Sequence, residues 1–134
     1  MVKQGEIIKI NLNPKQGHEQ QSYRPYICLS HRLVSEYANI AVFAPISNTQ
    51  RLYPLYVLLT DTETTGKVLL DQLVTIDYNA RQYSYVETVS DHLLTKLLES
   101  VKVIFQKNTP QKIICSNIWY RAIKRGDQDK RVAE

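Results

Sequence analysis

The segment YSYVETVSDHLLTKLLESVKVIF, residues 83–105, changes period in mid-course. Through Val89 it reads as an extended strand, with Tyr83 and Tyr85 on one face and Val86 on the other. From Ser90 the spacing is helical: Leu93, Leu94, Leu97, Leu98, Val101, Ile104 and Phe105 fall on one stripe. Ser90 suits the N-cap, where its hydroxyl accepts an orphan backbone N–H, and Asp91 suits the positive end of the helix dipole. An amphipathic helix directly after a strand needs an apolar surface to cover, and the residues before it supply one.

Upstream lie short β-prone runs: EIIKINLN (6–13), PYICLS (25–30), ANIAVFAPI (38–46) and LYVLLT (55–60). KVLLDQLVTID (67–77) is either one long strand or a bent pair. Pro14, Pro54 and the turn-like DTETTG (61–66) punctuate the series. Strands followed by one amphipathic helix predict a fold that is mainly β with α, a small barrel or curved sheet with the helix packed on it.

At 134 residues, 43% hydrophobic and 22% charged, the chain fits one ordinary soluble domain. No run of 18 apolar residues is present, so no membrane span is expected, and MVKQGEIIKINLN lacks the order of a signal peptide. Cys28 and Cys115 are far apart among apolar neighbours, which predicts reduced, buried thiols and a cytoplasmic protein. Three histidines and two lone cysteines without ligand spacing predict no metal and no cofactor.

Past residue 108 the composition shifts. Thr109-Pro110 suits a helix start, and Ile113, Ile114, Ile118, Ala122 and Ile123 can form a second stripe before a polar end, KRGDQDKRVAE. The expected division is therefore 1–108, a compact domain, and 109–134, a basic extension that is a helix and then a frayed end. The extension either packs on the domain or contacts a polyanion. Charge is uneven: residues 1–60 hold six Lys/Arg against three Asp/Glu, residues 61–107 five against seven, and residues 108–134 six against three. A basic excess at both ends of the sequence permits contact with a polyanion, and an ordinary solvated surface fits it as well.

The segment GHEQQSYRPYICLS (17–30) collects chemistry at a strand entrance. Pro25 biases Arg24 toward extended backbone, which fixes the origin of a guanidinium whose fork matches phosphate. His18 titrates near neutrality, and Glu19 can accept a proton. Each residue alone also fits an ordinary polar loop. Together they offer the proton acceptor, proton donor and cation that phosphodiester chemistry uses.

These residues resemble the MazF/PemK family of type II toxins. Gly17, Glu19, Gln20, Arg24 and Pro25 fit its G-x-E-Q-x-G-x-R-P pattern; FAPISN, LYPLYVLL and TGKVLLDQLVTID follow in family order, so the likeness covers about residues 4–107. The resemblance implies a small SH3-like barrel with a packed C-terminal helix, a homodimer, and a cognate antitoxin as partner. It also implies sequence-specific, metal-independent cleavage of single-stranded RNA by 2′-OH attack. It assigns catalytic roles to Arg24, Ser47 and Glu19, and RNA contacts to His18, Gln20, Tyr23, Asp71 and Gln72. Ser47 stands where the family has a threonine, Ser22 where it has a glycine, and Leu69 where the subset using the D-Q aspartate has an arginine. Stacking of bases would suit Tyr23, Tyr53 and Tyr56, the tyrosines nearest the expected groove. A degenerate barrel that binds nucleic acid or protein without cutting would show the same pattern.

Overall fold

A computed structural model describes residues 1–12 and 23–108. The expectations for His18, Glu19, Gln20, Cys115 and the extension 109–134 lie outside the described residues. In chain order the elements are β1 (Glu6–Asn11), β2 (Tyr23–Cys28), α1 (Arg32–Ala38), β3 (Ala41–Ser47), β4 (Tyr56–Leu58), β5 (Lys67–Leu69), β6 (Val74–Ile76), β7 (Tyr83–Thr88) and α2 (Asp91–Ile104). The strands form one antiparallel sheet in the order β4-β5-β3-β2-β1-β7, with β6 also paired to β3. The chain is thus mainly β with α, as the sequence predicts.

The apolar runs are continuous rather than alternating because both faces of the sheet are covered. Ile7, Ile27, Ala44, Ile46 and Val68 join a core with Leu93 and Leu97 of α2. Ile8, Ile10, Cys28, Ala41 and Phe43 point the other way, into a second cluster with Ile76 and Tyr78. Ser90 caps α2, its hydroxyl accepting from Leu93 N at 3.1 Å. Phe105 departs from the expected stripe: it is the residue after the last helical turn, with φ −104° and ψ 12°, and stands 74% exposed. Ser100 is buried in its stead, its hydroxyl donating to Lys96 O at 3.1 Å.

Residues 67–77 form a bent pair. A 3-10 turn at Leu70–Gln72 separates β5 from β6, and both pair with the same edge of β3. Helix α1 fills the gap between the apolar runs 25–30 and 38–46. Its apolar residues Leu33 and Tyr37 are exposed, and Ser35 is its buried residue. His31 Nδ1 caps it by accepting from Leu33 N at 3.0 Å, and Asn39 ends it in left-handed conformation, φ 57°.

Among the described residues backbone pairing does not close the sheet; a side chain links β7 to the loop beside β4 instead. Glu87 on β7 accepts from Thr64 N at 2.7 Å, Thr64 Oγ1 at 2.6 Å and Glu63 N at 3.2 Å, all on the loop between β4 and β5. These bonds hold its carboxyl below the ordinary value, the Thr64 hydroxyl contributing most. Val86 is an extra residue in β7, a bulge that lets Ile7 face Glu87 and Ile8 face Tyr85. Among the described residues no helix is long and apolar enough to cross a membrane.

Candidate functional site

Arg24 lies near the start of β2 and Ser47 at the end of β3, just past the last ladder pair of these two strands. The ladder pairs Cys28 with Phe43, Ile27 with Ala44 and Tyr26 with Pro45. Pro25 and Pro45 bring no N–H to it, and the pairing stops there. Continuing the same register by two residues places Arg24 opposite Ser47. Arg24 also pairs with Ile10 of β1, and Ser47 with Lys67 of β5, so Arg24, Ser47 and Lys67 fall on one row across three strands. Directly paired residues share a face, so the three side chains leave the sheet on the same side. Arg24 is exposed and Ser47 half-buried. Burial pushes the Tyr26 phenol up, and the Arg24 guanidinium partly offsets it.

Gly66 fixes the Ser47 backbone from beside it. Its φ is +126°, and an added Cβ would stand 2.7 Å from Ser47 O and 3.2 Å from Asn48 Oδ1. Only glycine allows β5 to begin this close to the end of β3.

Asp71 and Gln72, both exposed, lie on the 3-10 turn rather than on the Arg24 row. Gln72 Nε2 donates to Tyr56 Oη at 3.4 Å. Tyr53 and Tyr56 meet edge to face, centroids 4.9 Å apart, and the Arg51 guanidinium lies 5.1 Å from the Tyr53 ring centre and 5.9 Å from that of Tyr56. Burial raises the Tyr53 phenol first, and the negative charge of Asp71 raises it further. Lys67 Nζ, donating to Arg51 O at 2.7 Å, links this cluster to the Arg24–Ser47 row. Leu69, at the position of the family subset's arginine, is buried and pairs with Tyr56 across the β4–β5 ladder.

Tyr23, 42% exposed, borders a separate cleft with Arg81, Gln82, Tyr83 and Ser84. The Arg81 guanidinium donates to Leu12 O at 3.2 Å and Asn11 O at 3.4 Å, which holds that cleft against the end of β1. The sequence reading missed Arg51, Lys67 and Arg81. The signal for Lys67 was its place two residues before Leu69 in the TGKVLLDQ block, although its pairing with Ser47 needs the fold. Among the described residues the one ion pair is Arg32–Glu36 at 3.7 Å. Arg24, Arg51 and Lys67 are therefore not neutralised by a carboxylate within that set, an arrangement that suits a polyanion.

Comparison with known proteins shows the family and the fold. The family model described as a PemK-like, MazF-like toxin of type II toxin-antitoxin systems matches residues 3–105. The chain belongs to that family. It is 31% identical over 108 residues to the endoribonuclease PemK of Escherichia coli, covering 77% of this chain and 81% of that protein. It is 27% identical over 100 residues to the endoribonuclease toxin MazF of Escherichia coli strain K12, covering 75% and 90%. The fold is also that of MazF from Deinococcus radiodurans, with a TM-score of 0.65 at 22% identity over 78% of this chain and 96% of that one. An endoribonuclease solved in complex with its cognate antitoxin from a mycobacterial species superposes with a TM-score of 0.67 at 16% identity, over 82% of this chain and all of its own.

Proposed function

We propose that this chain is the toxin of a type II toxin–antitoxin pair, an endoribonuclease that cuts single-stranded RNA with Arg24 and Ser47 at the scissile phosphate. The observation that supports this reading is the register of β2 on β3, which, continued two residues past Tyr26–Pro45, sets Arg24 opposite Ser47, with no carboxylate among the described residues paired to the arginine. The ribose 2′-OH attacks the phosphorus, and its proton passes to Glu19 or His18, the groups the family likeness supplies. The guanidinium fork of Arg24 meets the charge that builds on the phosphorane oxygens. The Ser47 hydroxyl donates to a phosphate oxygen. The P–O5′ bond then breaks, and the 5′ oxygen takes a proton from water, with Arg24 holding its charge until it does. The products are a 2′,3′-cyclic phosphate and a 5′-hydroxyl. His18, Gln20, Tyr23, Asp71 and Gln72 contact the RNA. The same reading gives the chain a cognate antitoxin, a homodimeric state and a place in the cytoplasm.

The test uses single-stranded RNA in the presence of EDTA. Cleavage leaving cyclic phosphate and 5′-hydroxyl ends is expected, together with full resistance of an RNA carrying 2′-deoxyribose on the 5′ side of the cut. Cleavage of that deoxy substrate at an unchanged rate would rule out the 2′-OH route. Intact RNA across many sequences, with RNA still bound, would favour a binding barrel without activity.

A further inference from the structure

We infer that Arg51, Tyr53, Tyr56 and Gln72 form a nucleobase subsite that reads one RNA base beside the phosphate held at Arg24 and Ser47. The inference rests on the endoribonuclease reading.

The cluster has the parts such a subsite needs. The Arg51 guanidinium carbon lies 5.1 and 5.9 Å from the centres of two tyrosine rings that meet edge to face at 86°. A guanidinium and aromatic rings gathered in one place offer planes on which a base can stack. Arg51 is exposed, and the neighbouring Leu52 is 86% exposed. The platform thus borders solvent at Arg51, while Tyr53 packs against the core behind it. Gln72 adds an edge reader: one N–H meets Tyr56 Oη at 3.4 Å, and an amide carries a second N–H and a carbonyl that can bond a base.

Lys67 fixes where the platform stands. Its backbone pairs with Ser47, while its ammonium donates to Arg51 O at 2.7 Å. One lysine therefore ties the residue beside the tyrosines to the row proposed to meet the phosphate. An ammonium carries two further protons, enough to hold an adjacent phosphate. A surface that only attracted RNA by charge would need neither the guanidinium plane nor the amide. Arg51→Lys separates the two cases, because it keeps the charge and loses the plane.

The experiment maps the ends produced from a degenerate RNA pool by wild type, Arg51→Ala, Arg51→Lys and Gln72→Ala. Binding of a degenerate, uncleavable 2′-O-methyl RNA pool is measured in parallel by fluorescence anisotropy. Arg51→Ala and Arg51→Lys should both flatten base preference at one position beside the cut and raise KM about tenfold, the loss typical of one stacked base. Their kcat should stay within about threefold. Gln72→Ala should relax the same position. Retention of wild-type preference by Arg51→Lys, or an unchanged preference in all variants of an active enzyme, would overturn the subsite and leave the nuclease reading standing. A wild type that binds the methylated pool but cuts nothing would remove the nuclease reading. The subsite would then stand if both Arg51 variants weaken binding, and would fall if Arg51→Lys binds as wild type does. No binding and no cleavage would remove both.

Discussion

Gly66 shows how much a site can depend on a residue that touches no substrate. Its positive φ and its approach to Ser47 O leave no room for a side chain. Gly66→Ala should destabilise the protein by more than about 1 kcal/mol, because alanine is strained at this φ and its methyl would push the end of β3 aside. Ser47 moves with that strand end, so RNA cleavage should fall too. A melting curve and a single-turnover assay check both. An unshifted melting temperature would mean that β5 can withdraw from Ser47. At this scale the sequence displayed Arg24 plainly, since Arg-Pro at a strand entrance restricts its own backbone. Lys67 was not legible in the same way. In sequence it is one lysine at a strand start, and it becomes a neighbour of Ser47 only through the pairing of strands twenty residues apart.

Among the elements, α2 was the most legible because its cap and stripe are both local signals. Helix α1 was not, because it has only seven residues, a histidine for a cap and a serine, not its apolar residues, buried. The closing of the sheet was hidden for another reason: it depends on Glu87 meeting a loop 23 residues away. That contact is a titratable one. The carboxyl lies below its ordinary value when folded, so its stabilisation is present in full above the unfolded carboxylate value. It is lost as pH falls through the lowered folded value. Glu87→Gln should therefore lower stability at neutral pH by about 1 to 2 kcal/mol, the usual scale for charge-assisted bonds at a partly exposed site. The gap between variant and wild type should shrink in acid. Denaturant titrations at neutral pH and at pH 3 or below check the sign; a gap that grew in acid would contradict the assignment.

For the whole molecule, the described strands put apolar residues on both faces of the sheet, with α2 over one cluster and Tyr78 within the other. Large apolar side chains still remain at the surface, among them Tyr37 at 84% and Phe105 at 74% exposed. That surface, together with the family likeness, leads us to expect a homodimer. Light scattering at micromolar concentration should give twice the 15.5 kDa of one chain, and a monomer mass would count against it. The account as a whole turns on Arg24 meeting the scissile phosphate. Its most direct test is single-turnover cleavage of one RNA, in EDTA, by wild type, Arg24→Ala and Arg24→Lys. Removing one such transition-state contact typically costs a factor of about 10² to 10³, and a lysine cannot restore the fork. The account predicts a fall of that size for Arg24→Ala, incomplete recovery with Arg24→Lys, and melting temperatures close to wild type for both. Wild-type rates from Arg24→Ala would contradict it.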